Sequence, residues 1–315
     1  MGDDSLLVKK TLLESKQDIL SAWNQEMGEI HPISKRLFQE KVLGCQQLIK
    51  QFSYALYLEQ NYIGFVAIKK SLRIENKNKL YLSMIHIIKE SRNQGYGKAI
   101  LKDLFQFMQT TNYSELIVGG DEKCIFSGVF HNNNETTHAF FQKEGFEVHS
   151  NNMNLIVSDS LAVEYKNNHA EFIFGITETQ KQEALHLIKQ HFSERWYDEV
   201  EESDIHDIGV LFDDNKIVGF INTGSVSSKQ YPNSMNDYLL FENLSGIGPL
   251  GIIPEYQGKG LGLYMVNQAL QALFHRGASD IMVDWTGLEY FYKKCGFKKI
   301  YENYTIYKCN MEDIL

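Results

Sequence analysis

Two short stretches, about half a chain apart, constrain this sequence more than anything else in it. Residues 84–97 read MIHIIKESRNQGYG and residues 250–262 read LGIIPEYQGKGLG. In each, an apolar run ends in a polar elbow and is followed by [Gln/Arg]-x-x-Gly-x-Gly and a long amphipathic pattern. The pieces are Arg92, Asn93, Gln94, Gly95, Tyr96 and Gly97 in one copy, and Gln257, Gly258, Lys259, Gly260, Leu261 and Gly262 in the other. The order predicts strand, glycine loop, helix, twice over. Glycines let the backbone turn tightly without a side chain over the loop, and a helix start offers unpaired N–H groups at its positive dipole end. Such a corner suits a pyrophosphate.

Neither copy is a dinucleotide fingerprint, because the residues three past Gly97 and Gly260 are Ile100 and Leu263 rather than glycine, and neither has the G-x-x-x-x-G-K-[ST] of a P-loop. Both resemble the acyl-CoA loop of the GNAT superfamily of N-acyltransferases, [QR]-x-x-G-x-[GA]. A chain of 315 residues is comfortable for two domains of ordinary size. The expected organisation is an N-terminal GNAT-like domain over 1–165 and a C-terminal one over 166–315, each α/β with a mixed, mostly antiparallel sheet flanked by helices.

Composition is that of a globular protein, 43% hydrophobic and 23% charged. A net charge of −9 argues against a nucleic-acid partner, whose phosphates are bound mostly through Lys and Arg. That balance also disfavours a likeness to tandem tRNA-dependent aminoacyl-ligases, which would need a basic groove. Cys45, Cys124, Cys295 and Cys309 show no C-x-x-C spacing, so neither metal site nor disulfide framework is indicated, consistent with a reducing cytosol. No signal-like apolar run opens the sequence and no apolar run of spanning length occurs, so a cytoplasmic chain with no membrane partner is expected.

Apolar spacing predicts helices at 16–26 and 35–51, a hairpin from 53–59 and 62–68, a strand at 80–88 and a helix at 97–110. The second half repeats this order: a strand at 171–176, a helix at 180–192, a polar segment with Trp196 and Tyr197, a hairpin, then the helix 261–275. A strand at 280–284, a helix at 289–294 and a closing hairpin from Phe297 complete it. The first half differs by an insertion, Gly119–Asn133. It is similar to a G-x-D-x-x-H-x-F-P-G-V segment of some tandem bacterial GNAT proteins, with Cys124 in place of the histidine and Ser127 in place of the proline.

The resemblance implies acetyl-CoA as cofactor and a primary amine of a small molecule or peptide as acceptor, attacked directly. Ile252 and Ile253, with Ile87 and Ile88 in the first half, would pair with the pantetheine arm. A tyrosine four residues before a Gly-Phe pair commonly meets the sulfur in this superfamily. That position is Tyr292 in the second half and Phe141 in the first, which favours the second half for catalysis. Glu242 is the candidate base, with Asp284 as its rival and a site without any protein base as the third option. A non-catalytic CoA-binding module is the alternative function.

Overall fold

The computed structural model describes residues 7–158 and 169–313. The first part of the chain contains β1 (Leu7–Thr11), α1 (Lys16–Met27), α2 (Lys35–Phe38), β2 (Tyr54–Leu58), β3 (Asn61–Lys70), β4 (Lys79–Ile87), α3 (Tyr96–Gln109), β5 (Glu115–Val118), β6 (Val129–Phe130), α4 (Glu135–Lys143) and β7 (Glu147–Val157). The second contains β8 (Ala170–Phe174), α5 (Glu178–His191), α6 (Glu194–Glu202), β9 (Ile208–Asp213), β10 (Lys216–Ser225), β11 (Leu244–Ile252), α7 (Leu261–His275), β12 (Asp280–Thr286), α8 (Glu289–Lys294) and β13 (Lys299–Asn310).

The chain forms two compact units, and they do not follow the linear halves. The first is 1–152 with 303–315, and the second is 153–302. The expected boundary at 165/166 lies outside the described residues. In the first unit β1 to β4 run as an antiparallel meander, and β5 lies parallel to β4. Its far side is covered by the end of β13, with Tyr307 opposite Val118 and Asn310 opposite Glu115. In the second unit β8 to β11 are antiparallel, β12 is parallel to β11, and the end of β7 closes the far side, Val157 opposite Ile281. The last strand was expected to close a hairpin of the second domain. Instead Tyr307 and Cys309 are buried in the first unit's core with Leu80, Leu116 and Phe141. The physical reason is that a strand's alternation states which residues are buried but not which sheet edge buries them.

Each unit packs one long helix on its sheet. Ile100, Leu101, Leu104 and Met108 of α3 recur at three and four and sit in the first core. Leu261, Met265, Val266, Ala269, Leu270 and Leu273 of α7 do the same in the second. Local expectations fail in two places. The helix expected over 35–51 ends as a π-helical turn, Gln39–Leu43, before Gly44. The segment with Trp196 and Tyr197 is a helix, α6, capped by Ser193 and tied by Arg195 Nε to Glu199 Oε1 at 2.6 Å.

The insertion 119–133 folds over a buried ion pair. Lys69 Nζ lies 2.7 Å from Asp121 Oδ1 and donates to the Lys123 carbonyl at 2.9 Å, while Ser83 Oγ donates to Asp121 Oδ2 at 2.6 Å. Asp121, the one acidic residue of the segment's resemblance, is therefore held inside the fold.

Candidate active sites

Both glycine loops have one backbone path. Gly95 and Gly260 cap the helices with φ of 90° and 80°, in the left-handed region, and no side chain caps either helix. A Cβ added at either glycine would meet nothing within 4 Å. Among the described residues, the N–H groups of the first helical turn, from Tyr96 and from Leu261, have no backbone acceptor. The signature side chains hold the loop to its strand: Arg92 Nε donates to the Ile87 carbonyl, and Gln257 Nε2 to the Ile252 carbonyl, each at 2.8 Å. An open cradle of unpaired donors at a helix start fits a pyrophosphate. Gly260→Ala forces a side chain into the left-handed region at about 1–2 kcal/mol. We expect CoA affinity measured calorimetrically to fall about tenfold, since 1.4 kcal/mol is a factor of ten.

Beside each loop the parallel strands part. Pairing of β4 with β5 stops at Leu82 and Val118, and pairing of β11 with β12 stops at Ile247 and Val283. One extra residue bulges from the strand immediately afterwards, at Ser83 in β4 and at Gly248–Pro249 in β11. A cavity opens at each parting, 650 Å³ in the first unit and 840 Å³ in the second.

Most of the expected loop residues line these cavities: Ile87, Arg92, Asn93, Gly95, Tyr96 and Gly97 in the first unit, and Ile252, Gln257, Gly258, Gly260, Leu261 and Gly262 in the second. Four do not. Ile88 and Ile253 have both backbone groups engaged by the protein: their N–H groups donate to Ile63 and Val218, and their carbonyls accept from Ser91 and Tyr256. Neither can pair with an added strand. Gln94 bends back to the Glu90 carbonyl at 3.1 Å, and the Lys259 ammonium lies 4.5 Å from the centre of the Tyr256 ring.

Glu242 is also misplaced. It is exposed, precedes β11 and does not line the cavity, which begins midway along that strand at Gly248. Six residues separate Glu242 from Gly248, where the cavity begins, a span of roughly 20 Å if extended. Asp284, its rival, lines the cavity together with Tyr292, Trp285 and, from α6, Arg195, Trp196 and Glu199. Tyr292 is buried, and burial first, then Cys295 and the Asp284 carboxylate, push its pKa well above that of an ordinary phenol. It stays protonated across the working range. Burial also pushes the Cys295 thiol up to about 12, so it is a poor nucleophile.

Trp285 and Arg195 are features that sequence reasoning missed. Trp285 has φ of 45°, rare for a bulky residue, where the pairing of β12 with β7 shifts register. Its N–H donates to the side chain of Asn154 at 3.1 Å, and the Arg195 guanidinium lies 4.0 Å from the centre of its ring. The i,i+4 spacing of Arg195 and Glu199 behind Ser193 is the signal that could have revealed the helix presenting them.

The strand registers align the two units residue by residue. Gly119 follows Val118 as Asp284 follows Val283, and Phe146 N–H bonds the Phe141 carbonyl as Phe297 N–H bonds that of Tyr292. The first unit thus has glycine and phenylalanine where the second has Asp284 and Tyr292. It has His86 where the second has Gly251, since His86 pairs with Phe65 as Gly251 pairs with Phe220.

A duplicated sheet parted beside a glycine loop defines the acyltransferase class. The model of the acetyltransferase (GNAT) family matches residues 17–146 and 173–297, and the chain belongs to that family, as a tandem member with one copy in each region. Among solved structures it is similar to the GCN5-related glucosamine N-acetyltransferase region of a fungal multi-domain β-N-acetylglucosaminidase, at TM-score 0.85 and 19% identity over 98% of this chain and 38% of that one. This chain therefore spans well under half the length of that protein. A GCN5-related N-acetyltransferase from Sphaerobacter thermophilus aligns at TM-score 0.70 and 11% identity, over 99% of this chain and 97% of that one. A tandem GNAT protein of the clavulanic acid biosynthesis pathway aligns at 0.68 and 11%, over 97% and 99%. No curated protein sequence matches.

Proposed function

We propose that the chain is an acetyl-CoA-dependent N-acetyltransferase whose second unit acetylates the primary amine of a small hydroxylated molecule, an amino sugar being the leading class. The observation that carries this reading is the position of Asp284 and Tyr292 in the wall of one cavity that opens beside the uncapped start of α7. Gly258, Gly260 and the first N–H groups of α7 would hold the pyrophosphate, and the edge of β11 before Ile253 would hold the pantetheine arm. When bound, the cofactor supplies an activated acetyl thioester.

The residues then divide the proton work. Asp284 accepts a proton from the incoming ammonium, directly or through water, leaving the lone pair to attack. Tyr292, kept protonated by its surroundings, donates to the departing sulfur. No covalent enzyme intermediate is needed, and Cys295, buried and firmly protonated, is not suited to form one.

The acceptor class follows from the other residues that line the cavity. Arg195, paired with Glu199 and stacked over Trp285, borders the cavity together with Asp284 and Trp196. That is a surface for a cation with hydroxyl groups and an apolar ring face. The glucosamine acetylation named for the fungal region is in keeping with it. Thiol release on mixing acetyl-CoA with glucosamine, other amino sugars, polyamines and peptides tests the proposal. We expect amino sugars to give the highest kcat/KM; faster release with peptides would reject that acceptor class, and no release with any amine would leave a CoA-binding module.

A further inference from the structure

Between the pairs Val283 with Leu155 and Thr286 with Met153, two residues of β12, Asp284 and Trp285, stand opposite one of β7, Asn154. That is a bulge, which leaves the extra residue's N–H without a ladder partner. Here the partner is a side chain: the Trp285 N–H donates to Asn154 Oδ1 at 3.1 Å. A backbone N–H can only donate, so the carboxamide oxygen must face it, and the amino group turns to the Met282 sulfur at 3.8 Å. Asn154 is 7% exposed and stands behind the cavity rather than in its lining, to which Asp284 and Trp285 belong.

The first unit shows that this bond answers a strain. Val118 pairs with Tyr307 as Val283 pairs with Leu155, so Gly119 and Gly120 correspond to Asp284 and Trp285, and Ile306 to Asn154. Gly119 and Gly120 have φ of 75° and 64°, which glycine adopts freely, and the side chain of Ile306 has no acceptor to offer. In the second unit a tryptophan takes the left-handed conformation, with φ of 45°, and a bulky residue stays there only where its surroundings hold it.

What the strain secures is the placement of the ring. The Arg195 guanidinium lies 4.0 Å from the centre of the Trp285 ring, and Arg195 Nε is held by Glu199 Oε1 at 2.6 Å. The Trp285 backbone therefore sets Asp284, its immediate neighbour, and, through the ring, the α6 residues that border the cavity with it.

We propose that Asn154 is the positioning residue of the second unit's acceptor site: its carboxamide locks the Trp285 backbone, and so fixes both the Asp284 carboxylate and the Arg195 stack beside which the amine binds. This rests on the acetyl-transfer reading of the second unit and deepens it. The cofactor loop, Gln257–Gly262, is not part of this relay, so the acceptor rather than the cofactor should feel its loss.

The test uses the full chain with glucosamine and acetyl-CoA, each varied in turn. Asn154→Leu keeps the side chain's size and removes the acceptor oxygen. We expect the glucosamine KM to rise about tenfold and kcat to fall about tenfold, jointly the 10²-fold scale of an ångström of misplacement, with the acetyl-CoA KM changed by less than about twofold. Asn154→Asp, which keeps an oxygen facing Trp285, should recover the glucosamine KM. Trp285→Gly, copying Gly120, takes the same φ without strain and loses the ring; adding Asn154→Leu to it should lower kcat/KM by no more than about twofold further. Folding of Asn154→Leu only in company with Trp285→Gly would be the same coupling, read as stability. Without any turnover, the Trp285 indole N–H signal, assigned by its loss in Trp285→Gly, should move in Asn154→Leu and keep its place in Asn154→Asp. The proposal is overturned if that signal is unmoved in Asn154→Leu, if the loss falls equally on the KM of acetyl-CoA and of glucosamine, or if Asn154→Leu costs as much beside Trp285→Gly as alone. A chain that acetylates no amine would remove the reading of the second unit, while the indole signal would still report whether Asn154 holds Trp285, so the two fail separately.

Discussion

Asp284→Asn is expected to lower kcat for amino-sugar acetylation by 10²- to 10³-fold, the range for loss of a general base, with the chain still folded and still binding CoA. The argument is one of position. Asp284 is the first residue past the last paired position of β12, where β11 and β12 part, and it borders the cavity with Tyr292. The amide is nearly isosteric and keeps the neighbouring space filled, so the change removes basicity while disturbing packing little. Tyr292→Phe should cost less, about tenfold to 10²-fold, because a thiolate can leave without its proton at neutral pH. Glu242→Gln, at the far end of β11, should change neither kcat nor KM by more than twofold. Steady-state kinetics on the three variants decides the assignment: full activity of Asp284→Asn would remove the base, and a large loss in Glu242→Gln would return it there.

Lys69→Met is expected to destabilise the first unit by about 3–5 kcal/mol, the scale for removing one partner of a buried ion pair. Both side chains are almost wholly buried, 1% and 4% exposed, so water cannot replace the lost ammonium. Asp121 would keep only the Ser83 hydroxyl and the Lys123 N–H, the latter at 3.2 Å. Adding Asp121→Asn should recover part of the loss, because the uncompensated charge disappears with it. Hydrogen exchange at the amides of β3 and β4 is the measurement, since the two units need not unfold together. Exchange unchanged in Lys69→Met would show that the pair contributes little.

What could be read in advance was what is written locally. The glycine loops, the helix Leu261–His275 and the pairing of Tyr292 with Phe141 lie within short windows where the φ freedom of glycine and 3.6-residue periodicity decide the outcome. Glu242 was misjudged because the point where β11 and β12 part, after Ile247, is set by strand register rather than by any local pattern. His86 could be seen in the sequence beside its loop, but its partner Glu26 comes from α1, some 60 residues earlier, and nothing local joins them. Trp285 was beyond reach because its importance lies in a positive φ and a register shift, both set by pairing with distant strands.

The exchange of closing strands carries a consequence for synthesis. Residues 303–310 supply the sheet edge that β5 and β6 require, so an earlier part of the chain waits for one translated about 170 residues later. Until those residues emerge, a growing chain can complete neither the hydrogen bonds of β5 nor the apolar seat of Phe141 beneath Tyr307. A gene cut at the midpoint of the repeat would therefore yield a front half with an open flank, so the two copies, however alike, are inherited as a single indivisible piece.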